Sequence, residues 1–65
     1  MIVRDPYAAG SESRRRTIFA ALVNAQDDGL EVVASRARVA SRYAISLEDV
    51  QAIEREGLNN RWAPL

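Results

Sequence analysis

Arg14, Arg15 and Arg16 hold the clearest chemical possibilities in this chain. Three adjacent guanidinium groups are planar, permanently charged donors, suited to phosphates or to the carboxylates of a partner surface. Successive helical residues lie about 100° apart, so on a helix the three fan around the axis instead of forming a stripe. Near a helix start they also face the positive end of the macrodipole. A solvated first turn with packed aliphatic stems accounts for them equally well. Acids come in pairs at Asp27-Asp28, Glu48-Asp49 and Glu54 with Glu56, and paired carboxylates can do acid–base work. So short a chain has no room for the cleft such a pair needs, and solvated surface is the expected role. Five serines in the helical region (Ser11, Ser13, Ser35, Ser41, Ser46) have no histidine to activate them. The chain has neither His nor Cys, which removes imidazole catalysis, a Cys/His metal centre and disulfides together. Its glycines stand singly and form no phosphate-cradling loop. The expectation is a non-enzyme with no cofactor, no bound metal and no small-molecule substrate.

The elements that carry these residues follow from apolar spacing and capping chemistry. Residues 1–10 contain Pro6 and Gly10 without periodicity and read as an extended N-terminal arm, ahead of a three-helix domain over residues 11–65. Ser11 or Ser13 can cap a first helix. Ile18, Phe19, Leu22 and Val23 then share one helical face, and Gly29 suits the left-handed position after the helix end. The first helix is predicted over about 12–26. Leu30, Val33, Ala37, Ala40 and Ala44 form the stripe of a second, over 30–44, with Val32, Val39 and Tyr43 widening it and Arg36, Arg38 and Arg42 on the remaining surface. Ser46 with Asp49 three residues on resembles a capping box and starts a third helix over 47–58. Val50, Ile53 and Leu58 would face inward there, with Gly57 marking its weakening or end. Trp62 is expected to line the core from a short non-helical tail. Phe19, Leu22, Val33, Val50 and Ile53 are predicted among the most buried residues. The fold class is all-α.

Residues Val39 to Leu58 resemble the promoter-reading helix-turn-helix at the C-terminal end of bacterial sigma factors. The matching elements are Arg42-Tyr43 closing a helix, Ala44-Ile45-Ser46 as turn and cap, then Val50, Ile53-Glu54 and Leu58. The resemblance covers less than a third of the chain and rests on core and capping positions. It implies a DNA-binding, transcription-regulatory module whose second helix enters the major groove. Gln51 and Arg55 would then reach base edges, with Arg14, Arg15 and Arg16 on the phosphate backbone. Family members commonly place basic and polar residues at the outward start of that helix. Here Glu48 and Asp49 stand there, favouring the helix N-terminus but repelling phosphate.

Charge supports a different reading. All nine basic residues are arginine, an Arg- and Ala-rich composition typical of a GC-rich genome, and the formal charge is zero. Residues 1–42 are net +2 and residues 43–65 net −2, unlike a strongly basic nucleic-acid binder. A protein–protein interaction module, or a small subunit of a larger assembly, would use the same fold, its acidic third helix or its arginine-rich half facing a partner of opposite charge. The core of a 65-residue chain is marginal, and Ile2, Val3, Tyr7 and Leu65 lie outside the helices. They are expected to be buried in a homodimer or hetero-complex. With no apolar run long enough to span a bilayer and no signal-peptide pattern, a soluble cytoplasmic protein is expected.

Overall fold

The computed structural model describes residues 11–62, and among them the fold is three α-helices and no strand. They are α1 (Glu12–Asp27), α2 (Val32–Tyr43) and α3 (Leu47–Asn60), each packed against the other two. The protein is a small all-α domain.

Caps set the boundaries. The Ser11 hydroxyl accepts from the Arg14 N–H at 3.3 Å, and Ser46 accepts from the Asp49 N–H at 3.0 Å. At the end of α1, Gly29 has a φ of +102°; its N–H donates to the Gln26 carbonyl and the Leu30 N–H to that of Ala25, the paired closure of a Schellman motif. Leu30 is thereby committed to finishing α1, so α2 begins at Val32 and not at Leu30. The same closure ends α2 with Ala44 at φ 55° and α3 with Arg61 at φ 54°.

Ile18, Phe19 and Leu22 from α1, Val39 from α2, Val50 and Ile53 from α3, and Trp62 form one buried cluster. Trp62 lines the core as expected, meeting the Phe19 ring edge-on at a centroid distance of 6.0 Å. Phe19, Leu22, Val50 and Ile53 are buried, but Val33 is 75% exposed and Leu58 66% exposed. The stripe expected for α2 is therefore rotated. Its inward residues are Ser35 and Val39, flanked by Arg36, Ala40 and Tyr43, while Ala37 and Ala44 are exposed. Polar chemistry disguised this face. Ser35 is fully buried, yet its hydroxyl donates to the Val32 carbonyl at 2.7 Å and accepts from Gln26 Nε2 at 3.1 Å, so burial strands no polar atom.

Gly57 does not end α3. The helix continues through it to Asn60. A Cβ at Gly57 would run into the Phe19 ring, with Cγ at 2.7 Å, so this glycine is the gap into which the ring fits.

Candidate functional site

The three consecutive arginines point to three different places. Arg15 makes a two-pronged pair with Glu56 of α3: Nε donates to Oε1 at 2.8 Å and a second nitrogen to Oε2 at 3.1 Å. The side chains are only 12% and 18% exposed, so this pair belongs to the α1–α3 seam. Arg16 pairs one turn back with exposed Glu12 at 3.1 Å, and its guanidinium lies 5.1 Å from the Trp62 ring centroid. Arg14 reaches α2 instead, donating from Nη2 to the Tyr43 carbonyl at 3.3 Å. Arg36 bridges α2 to α3 through Glu54 at 2.7 Å.

Gln51 and Arg55 are exposed one turn apart on the outer face of α3, which Glu48 and Asn59 share by helical spacing. Arg55 holds no carboxylate among the described residues. The structure thus brings Gln51 and Arg55 together but does not join them to Arg14, Arg15 and Arg16 as one basic surface. Glu48 and Asp49 occupy the first turn of α3, where their charge suits the helix N-terminus. Ile2, Val3, Tyr7 and Leu65, expected to meet a partner, lie outside the described residues.

Two surfaces were missed by sequence reasoning. Arg38 and Arg42, one turn apart on α2, line a groove between α1 and α2 together with Tyr43, whose ring Arg14 also meets; their i, i+4 spacing was the available signal. On the other flank of α2 the rotated face leaves Val33 in solvent, and Leu47 (52% exposed) and Leu58 on α3 are exposed as well. Among the described residues, no group of three metal-ligating side chains forms and no helix is long and apolar enough to cross a membrane. Comparison with known proteins finds no matching family model, no matching curated protein and no matching solved structure, so the role of these surfaces has to be read from their own residues.

Proposed function

We propose that this protein is a non-catalytic, helix-turn-helix-like interaction module that assembles with a second copy of itself through the α2–α3 face. The observation that carries this reading is the exposure of Val33, Leu47 and Leu58 at 75%, 52% and 66% in so small a domain. The Arg36–Glu54 pair internally balances the charge where α2 meets α3. Apolar residues beside a balanced ion pair need no oppositely charged partner, and a two-fold interface would bury the same residues on both copies. Burying it would also support a marginal core.

Sedimentation across protein concentration tests the assembly, with Val33→Glu and Leu58→Glu as the disrupting pair. Val33 lies in the first turn of α2, where a carboxylate suits the helix dipole, so the substitution should leave the monomer folded. The parent should associate at tens of micromolar and the double variant should not. A parent that stays monomeric, with concentration-independent melting, overturns the reading.

A second reading, duplex DNA binding through α3, is favoured by Gln51 and Arg55 sharing one exposed face after the Ala44–Ser46 turn. With Arg15 and Arg16 holding acids of their own chain, few phosphate contacts remain, and the salt dependence should be shallow. Glu48→Gln with Asp49→Asn should tighten such binding. Titration of parent and variant against random duplex at low salt decides it: no binding at tens of micromolar ends the DNA reading.

A further inference from the structure

The groove between α1 and α2 gathers arginines that no carboxylate of the described residues neutralises. Arg38 and Arg42 form its α2 lip. At one end both Arg14 and Arg42 lie against Tyr43, their guanidinium carbons 5.8 and 5.6 Å from the ring centroid. None of the three is in an ion pair among the described residues, whereas Arg15, Arg16 and Arg36 each hold an acid. The groove is open to solvent, with a volume of about 310 Å³ over Ala20, Ala21, Ala25 and Val39. Asn24 and Asp28 line its other side.

We propose that this groove docks an acidic, amphipathic segment of a partner protein, its apolar side chains on the alanine floor and its carboxylates on Arg38, Arg42 and Arg14. Charge complementarity selects the occupant. Permanently charged guanidinium groups braced on a tyrosine ring are pre-ordered for carboxylates, and small floor residues admit the apolar face of an incoming helix. A nucleic-acid backbone fits worse: it would leave the alanine floor uncovered and set phosphates against Asp28. The groove lies on the opposite flank of α2 from Val33, so the proposal stands independently of self-assembly.

The probe is a fluorescein-labelled helical peptide of about 14 residues, built from Glu, Ala and Leu with leucines at i, i+3, i+4 and i+7. Anisotropy at low salt should show saturable binding. Arg38→Ala with Arg42→Ala should weaken it roughly tenfold, since two charge-assisted contacts are removed. Asp28→Asn should tighten it about twofold, and Arg61→Ala, an exposed arginine away from the groove, should change it less than twofold. The same peptide with serines for leucines should bind markedly more weakly. All replaced residues are exposed, and melting followed by circular dichroism confirms that each variant is folded. The proposal is overturned by absence of binding up to about 0.5 mM, by an equal loss from Arg61→Ala, by equal affinity for the serine peptide, or by random duplex displacing the probe with the same arginine dependence.

Discussion

Where α1 meets α3, the Phe19 ring sits against the backbone of Gly57, Trp62 meets that ring edge-on, and Arg15 grips Glu56 alongside. On α2 the materials are exchanged: a serine is fully buried while Val33 and Ala37 face water. The seam is defined by close approach, with one glycine, one ring and one bidentate pair that admit a single arrangement. Helix α2 is held by Val39 with Ala40 and Tyr43 beside the core, by the Gln26–Ser35 hydrogen bond, by Arg14 on the Tyr43 carbonyl and by the Arg36–Glu54 bridge. The closest approach of backbone and ring is thus between α1 and α3. The surfaces of α2 are left available, one flank apolar and the other basic.

The largest expected effect comes from closing the gap at the seam. Gly57→Ala gains about 1 kcal/mol of helix propensity, yet its methyl group must displace a buried phenylalanine ring. The clash should win, with a net loss of about 3 kcal/mol, most of what a domain this size has. Phe19→Leu in the same chain should restore part of it, because the two positions share one space. Urea unfolding of single and double variants measures the coupling. A Gly57→Ala protein more stable than the parent would mean that the ring does not occupy that gap.

A smaller effect separates the two faces of α2. Ser35→Ala removes the partner of Gln26 Nε2 and should cost about 1 kcal/mol, although a hydroxyl gives way to a methyl inside the core. Val33→Ala, although it deletes two carbons from a large apolar residue, should change monomer stability by no more than about 0.5 kcal/mol and in the stabilising direction. Thermal melts of the two variants at low protein concentration check the contrast. If Val33→Ala is the costlier change, the inward face of α2 is the alanine–valine stripe after all.

The helices themselves were readable because their signals are local: Ser11 and Ser46 as caps, Gly29 as terminator, and Ile18, Phe19, Leu22, Val50 and Ile53 at helical spacing. The face of α2 was not, because hydrophobicity is a poor guide where a serine satisfies its hydroxyl locally and alanines are indifferent to water. Gly57 read as a terminator because glycine is a weak helix former when only local propensity is counted. Its need for a missing side chain comes from Phe19, 38 positions earlier in the chain. At the candidate site, the triple arginine drew attention as a run, but its members act through what each touches. Only Arg14 joins Arg42 at Tyr43, while Arg15 and Arg16 hold acids at different distances from water. Partner choice among nine arginines is a tertiary property.

The smallest expected effect sharpens the comparison at the turn between α2 and α3. Ala44 adopts a left-handed conformation at φ 55°, which costs an L-residue with a side chain about 1 kcal/mol or somewhat more. Glycine would remove that strain but lose more backbone entropy on folding, about 0.5–1 kcal/mol. Ala44→Gly should therefore stabilise by about 0.5 kcal/mol, with both hydrogen bonds of the turn retained. Gly29 provides the opposite sign. Nothing lies within 4 Å of a Cβ placed there, so Gly29→Ala meets no clash and reports backbone strain alone, a loss of about 1 kcal/mol. Denaturant midpoints moving in opposite directions for the two variants establish that α1 and α2 end by the same closure. If Ala44→Gly lowers the midpoint, the turn into α3 is relaxed with alanine, and the left-handed residue is not where α2 stores its strain.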